Sequence, residues 1–321
     1  MPGPRVLFVK LSSLGDVVHN FPAVTDVVRH LPGAHVAWAV EEAYADLVRL
    51  HPGVAEAIPV GLRRWKRQWL HPSSWSQMRA VKRAVGGRPW DYVIDTQGLI
   101  KSATVARWAR GPRFGPDRAS AREVLAARSY DVRLRVPRDL HAVERNRLLA
   151  AQVFGYATAA AAEYGIVAPD LALPWAPSTP FIVLLHAASH ERKRWPEGRW
   201  LELGRHLAGR GYVAVLPGGT DAERGAAARL AQAIPDAIAA PPLTLPEAAA
   251  LLARASAVCG VDTGLTHLAA ALGVPTIGLY VATRPELTGL HAPMARNLTG
   301  ARDGPAVDAV MQALFPPEPA P

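Results

Sequence analysis

Cysteine is all but absent: Cys259 is the only one in 321 residues. No intramolecular disulfide can form, and no cysteine zinc cluster can assemble. Because Cys259 lies inside an apolar strand-like run, its expected role is core packing. Long hydrophobic runs are missing too. No uninterrupted apolar stretch reaches the roughly 18 residues that a spanning helix needs. Val6 to Val9 is only strand-length, and no basic-then-apolar leader with a small-residue cleavage site accompanies it. A cytoplasmic protein is expected. No helix-turn-helix, zinc-finger or RNP-type signature occurs, which counts against a nucleic-acid partner. Nor does an Asp-x-Asp pair stand where it could hold a metal on a diphosphate, so neither metal nor cofactor is expected.

Acidic residues are in deficit, 27 against 36 Lys and Arg, for a net charge of +9. Such a surface calls for an anionic partner: nucleic acid, a phospholipid surface or a phosphorylated substrate. Coding bias in an Ala/Arg/Pro-rich chain is the alternative source of the arginines. With half of its residues hydrophobic, the chain is globular and long enough for two domains.

Apolar runs alternate with helical periodicity from the start. Val6 to Val9 reads as a strand, Val24, Val27, Val28 and Leu31 as one helix face, and His35 to Val40 as the next strand. Tyr92 to Asp95 is another buried strand, with Gln97-Gly98 as its turn. A loosened Ala tract from about Ala159, followed by Pro169, Pro174, Pro177 and Pro180, marks a linker. A second series follows: strands at Phe181 to Leu185, Val213 to Leu216, Ala257 to Val261 and Pro275 to Tyr280, with helices near Pro196 to Ala208, Asp221 to Ala233 and Thr266 to Leu272. The reading is α/β throughout, with two parallel-sheet domains at 1–170 and 171–321. The second includes a terminal helix and a frayed proline-rich tail.

Ligands of open parallel sheets sit beyond the carboxyl ends of the strands, and the polar motifs fall there. Val258 to Gly273 carries an apolar strand into a polar, glycine-containing turn that opens a helix. Unpaired amides and the helix dipole would favour a phosphate there; an ordinary helix capped by Asp262 or Thr263 is the alternative. Asp262 would be repelled by the phosphate, so its carboxylate is expected against sugar hydroxyls or the helix amides. Asp16, at the mouth of the first domain, is either a general base for an acceptor hydroxyl or a helix cap. Its loop lacks GxGxxG and GxxxxGK[ST], which removes the dinucleotide fingerprint and the P-loop. Lys193, among Arg192, Arg194 and His190, either neutralises a leaving diphosphate or belongs to a solvated basic turn. Arg63-Arg-Trp-Lys-Arg-Gln-Trp69 suits an anionic glycolipid or membrane interface, nucleic-acid stacking, or a solvated helix end with tryptophans tucked inward.

Val9-Lys-Leu-Ser-Ser-Leu-Gly-Asp-Val-Val-His19, Arg63-Arg-Trp65, Ile94-Asp-Thr-Gln-Gly-Leu-Ile-Lys-Ser-Ala103, Ala121-Arg-Glu123, His141-Ala-Val-Glu-Arg145, Lys193 with Trp195-Pro-Glu197, and Val261-Asp-Thr-Gly-Leu-Thr-His267 together resemble the lipopolysaccharide heptosyltransferases of glycosyltransferase family 9. The opening motif and the His-Ala-Val-Glu-Arg run favour the branch that acts on the Kdo region over its sister. The resemblance implies a GT-B fold, two Rossmann-like domains facing a central cleft, with closure on the substrates. It implies ADP-heptose as donor, Kdo2-lipid A as acceptor, inversion at the anomeric centre, and a monomer peripheral on the anionic inner leaflet. It implies Asp16 as base and Lys193 at the departing diphosphate. Donor contacts implied are Ser189, Glu223, Leu243, Asp262, Thr263, Gly264, Leu265 and His267. Acceptor contacts implied are Ser13, Arg63, Arg64, Lys66, Arg67, Gln97, Lys101 and Arg122. Where the family often has a Thr-Thr pair this chain has Ala188-Ser189, and the turn Pro217-Gly-Gly-Thr-Asp221 lacks the family's tryptophan.

Overall fold

A computed structural model describes residues 3–68, 71–158, 161–188 and 190–316. The chain divides into two compact units, Met1–Val167 and Ala168–Pro321. Each is built on one six-stranded parallel sheet.

In the first unit the strands are β1 (Arg5–Val9), β2 (His35–Glu41), β3 (Glu56–Val60), β4 (Tyr92–Asp95), β5 (Arg113–Pro116) and β6 (Val132–Leu134). They lie in the order β3-β2-β1-β4-β5-β6. Phe8 of β1 sits in register with Trp38 on one side and Ile94 on the other. A strand covered on both faces has no polar side to present, so Val6, Leu7, Phe8 and Val9 are all fully buried. The helices are α1 (Leu14–Val18), α2 (Phe21–His30), α3 (Ala45–Val48), α4 (Leu62–Arg67), α5 (Pro72–Gly86), α6 (Ile100–Ala106) and α7 (Ala142–Phe154). Proline in the first turn suits α2, because an unpaired amide is not missed there. Val24 and Val27 bury, and Asp26 from the same helix pairs with Arg147 of α7 at 2.8 Å, both side chains nearly sealed from solvent.

The second unit repeats the plan. Its strands are β7 (Phe181–Leu185), β8 (Val213–Leu216), β9 (Ile238–Ala239), β10 (Ala257–Val261), β11 (Thr276–Tyr280) and β12 (Ala295–Thr299), in the order β12-β11-β10-β7-β8-β9. Its helices are α8 (Glu197–Ala208), α9 (Asp221–Ala233), α10 (Leu245–Arg254), α11 (Gly264–Ala271), α12 (Pro285–Thr288) and α13 (Val307–Leu314). Cys259 is fully buried in the core beside Trp195 and Trp200, whose rings meet edge to face at 4.9 Å. The tail expected to fray, beyond 316, lies outside the described residues, as do 159 and 160 of the expected linker.

Counted within each unit, both strand orders are 3-2-1-4-5-6, the Rossmann order. The order reverses between β1 and β4 in the first sheet and between β7 and β10 in the second. Loops that leave those strands splay to opposite sides and open a crevice at each reversal.

Candidate active site

The loop after β1 carries Lys10 to Ser13 into α1, and the loop after β4 carries Thr96 to Leu99 into α6. These two loops flank the first reversal and are tied together. Gln97 Oε1 accepts from the Leu11 amide at 2.7 Å, and its Nε2 donates to Ser12 O at 2.7 Å. Asp95, fully buried at the end of β4, accepts from the Gln97 and Gly98 amides and from Tyr130 Oη at 2.8 to 3.1 Å. Gly98 turns the chain with φ +65°, where a Cβ would lie 2.8 Å from Pro116 Cγ.

Asp16 emerges on this frame. It is the third residue of α1, not the cap: Ser13 holds the cap position, and Asp16 Oδ2 accepts from the Ser13 amide at 2.9 Å and from Ser13 Oγ at 3.2 Å. Oδ1 faces Arg122 Nη1 at 3.3 Å. Burial alone would raise its pKa, but the cations of Lys10 and Arg122 and the Ser13 hydrogen bonds outweigh it and hold the carboxyl below its usual range. Asp16 is therefore ionised at neutral pH. Lys101 donates from Nζ to Ser12 Oγ at 2.6 Å; its pKa is lowered by burial and by Arg63. Ser13, Lys101 and Arg122 thus gather around Asp16, with Arg63 and the buried carboxylate of Glu41 on the far side of Lys101.

The other residues expected at the acceptor have protein partners of their own or lie on the surface. Gln97 spends both ends of its amide bracing the Leu11–Ser12 loop, so it supports the site instead of reaching into it. Arg64 turns to Glu42, at 2.6 and 2.9 Å, and to Gln77. Of the readings open for the tryptophans, Trp65 takes the inward-tucked one: it is buried in the core because its position on α4 faces the sheet; Trp69 lies outside the described residues. Lys66 and Arg67 are exposed on α4.

In the second unit the loop after β7 brings Lys193 to the turn after β10. Lys193 Nζ donates to Asp262 Oδ2 at 2.7 Å, and Thr283 Oγ1 donates to the same oxygen at 2.9 Å. His267 Nε2 lies 3.3 Å from Oδ1. Burial would raise the Asp262 pKa; the His267 and Lys193 hydrogen bonds more than offset this and hold it well below the carboxylate range. The carboxylate expected against sugar hydroxyls or the helix amides has Lys193, His267 and Thr283 as its protein partners. Thr263 occupies the N-cap of α11 but makes no capping hydrogen bond with its side chain. The first amides of α11, beginning at Gly264 and Leu265, are thus left for an anion. Close approach is built in: a Cβ on Gly260 would sit 2.4 Å from Thr266 Oγ1, whose hydroxyl donates to Val261 O.

Glu223 Oε2 accepts from the Gly219 and Thr220 amides, each at 2.9 Å, as the capping box of α9. Leu243, half-buried, precedes the Thr244 cap of α10. A cavity of about 1080 Å³ reaches Glu223, His186 and Trp200 but includes neither Lys193 nor Asp262, so it is not read as the diphosphate site. Ser189 lies outside the described residues. Among the described residues no group of three or more His, Cys, Asp or Glu could hold a metal ion.

Sequence reading gave no role to Lys10, which is fully buried with Nζ donating to Thr96 O at 3.0 Å and to Asn146 Oδ1 at 3.2 Å. Burial pushes its pKa down to about 8. A lysine directly after an all-apolar central strand was the available signal. Thr283 and Asn146 had none, since each reaches its partner from a sequence-remote element.

Two Rossmann-ordered sheets in series, each with its polar loops at the strand-order reversal, are the build of GT-B glycosyltransferases. The model of glycosyltransferase family 9 (heptosyltransferase) matches residues 78–315, and the chain belongs to this family. It is 44% identical over 289 residues to the lipopolysaccharide heptosyltransferase 1 of Pseudomonas aeruginosa, covering 89% of this chain and 81% of that protein. Among solved structures it is similar to the Escherichia coli heptosyltransferase WaaC with ADP, at TM-score 0.90 and 36% identity, covering 96% of this chain and 98% of that one. The same enzyme with ADP-2-deoxy-2-fluoro heptose gives TM-score 0.86 over the same shares.

Proposed function

We propose that this chain is an inverting heptosyltransferase that moves L-glycero-D-manno-heptose from ADP-heptose onto a Kdo hydroxyl of Kdo2-lipid A, in the inner core of lipopolysaccharide. Asp16 takes the proton of the acceptor hydroxyl. The freed oxygen bonds to C1 of the heptose as the bond from C1 to the diphosphate oxygen breaks, and ADP leaves. Lys193 and the first amides of α11 meet the charge that grows on the diphosphate. Asp262 and His267 orient the sugar end of the donor, and Glu223 with Leu243 the nucleoside end.

A base held below the usual carboxylate range is weak, and general-base catalysis improves as the pKa nears working pH. The acceptor's own anions supply the correction: by engaging Lys101 and Arg122 through charge-assisted hydrogen bonds they neutralise cations that act on Asp16. The observation that carries the reading is the placement of Asp16 and Lys193 at the strand-order reversals of their respective sheets. Among the described residues no helix is long and apolar enough to cross a membrane. The +9 charge supports peripheral docking of a monomer on an anionic inner leaflet.

ADP release from ADP-heptose and de-acylated Kdo2-lipid A tests the reading, beside Asp16→Asn and a heptose-bearing acceptor. Release that needs the Kdo acceptor and falls about 10²- to 10⁴-fold in the variant is expected. Activity confined to the heptose-bearing acceptor would instead indicate heptosyltransferase II chemistry.

A further inference from the structure

Large apolar side chains are seldom left half exposed next to one another, yet Ile100, Val124 and Leu125 are 48%, 47% and 56% exposed. Ile100 opens α6, and the other two open the 3₁₀ turn Val124–Ser129 packed against it. Two hydrogen bonds fix the pair of elements: the Ile100 amide donates to Glu123 Oε2 at 2.6 Å, and the Glu123 amide donates to Gly98 O at 3.0 Å. Beneath them Ala103, Ala126 and Tyr130 form a small buried cluster. Everything apolar that this cluster could absorb faces inward; these three side chains do not. Lys101, Arg122 and Arg128 are exposed around them, and the nearest acid, Glu123, is occupied as acceptor at the start of α6. Arg122 is also the residue that faces Asp16.

We infer that Ile100, Val124 and Leu125 form a membrane-docking wedge, inserted among the headgroups of an anionic bilayer, with exposed Arg128 beside it to meet a lipid phosphate while Lys101 and Arg122 face the acceptor. An apolar tip ringed by cations is the chemistry of an interfacial anchor. Val124 lies two residues from Arg122, which faces Asp16, so the inserted wedge would bring the Asp16 carboxylate to headgroup level, where a sugar attached to a lipid is within reach. A second copy of the chain is the poorer occupant. A symmetric dimer through this face would set the three cations against themselves, and three side chains fall far short of the roughly 1,200 Å² total that a stable interface buries. The inference rests on the reading of a lipid-borne acceptor, but its test does not require turnover.

Cys259 is fully buried and burial raises its thiol pKa, so a Leu125→Cys variant offers one reactive thiol for an environment-sensitive fluorophore. Mixed with vesicles containing phosphatidylglycerol, the labelled protein should blue-shift and be quenched by acyl-chain-brominated lipid. Pure phosphatidylcholine vesicles should do neither. The triple variant Ile100→Ser, Val124→Ser, Leu125→Ser should partition about 30-fold or more weakly. Its ADP release with the de-acylated acceptor should stay unchanged, and that with vesicle-embedded acceptor should fall. A label that stays in water while the protein still pellets with vesicles overturns the wedge and assigns docking to another face. A label that is shielded without vesicles, increasingly with protein concentration, overturns it in favour of self-association. Loss of ADP release from both acceptors in the wild type, with label insertion intact, would count against the transferase reading and leave the wedge standing.

Discussion

Replacing Lys10 by methionine asks whether the cation beneath Asp16 is kept at the expense of stability. Burial lowers the Lys10 pKa from 10.5 to about 8, a difference equivalent to about 3 kcal/mol. Between those pH values the unfolded chain holds a proton that the native chain has released. Native stability therefore rises by about 3 kcal/mol as pH climbs through that window, and is lost again as pH falls toward 8. The variant has no such proton, so its curve lacks that rise. Below the window methionine removes the burial cost of a charge but strands Thr96 O and Asn146 Oδ1, each worth about 1–3 kcal/mol. The terms oppose one another, and near neutrality the variant should stay within about 2 kcal/mol of wild type. Urea unfolding at a series of pH values measures both. Parallel curves for the two proteins across the alkaline window would refute the buried-cation account.

The same substitution carries a catalytic signature. Asp16 is pushed up by burial and brought down chiefly by Lys10, so without the ammonium its pKa rises and the acid limb of kcat/KM moves to higher pH. A purely structural lysine would lower the plateau and leave that limb in place.

Lys193→Met removes the cation proposed to meet the diphosphate, and ADP affinity should drop about 10- to 100-fold by calorimetry; unchanged affinity would detach Lys193 from the donor. Arg147→Met leaves Asp26 buried without its guanidinium and should cost about 3–5 kcal/mol, seen as a lower urea midpoint at constant slope. Gly98→Ala places a methyl 2.8 Å from Pro116 Cγ at φ +65°. It should lower stability by about 1–3 kcal/mol and weaken acceptor binding, because the same methyl would lie 3.4 Å from the Arg122 backbone nitrogen; an unchanged melting temperature would show that the turn relaxes freely.

What the sequence discloses follows from burial. Central strands of a parallel sheet are covered on both faces, so Val6 to Val9, Phe181 to Leu185 and Ala257 to Val261 are unbroken apolar runs and are legible as strands. Edge strands are not, because β12 reads Ala-Arg-Asn-Leu-Thr and β9 is two residues long. Site residues show the same division. Asp262 stands in the turn just past β10, Asp16 in the first turn of α1 after β1, and Lys193 in the 3₁₀ turn that follows β7, and position after a strand marks all three. Their partners are set by topology: the reversal of strand order brings the loop after β1 beside the loop after β4, which is why Gln97 and Ser12, 85 residues apart, meet. No local pattern announces that Gln97 is a brace, that Arg64 belongs to Glu42, or that Lys10 shares its proton donors with Asn146, 136 residues on. A charged residue in a turn therefore reads as available for substrate until a distant partner is found for it. What separates Arg122 and Lys193 from Arg64 is which carboxylate that partner is, Asp16 and Asp262 of the candidate site for the first two and Glu42 for Arg64.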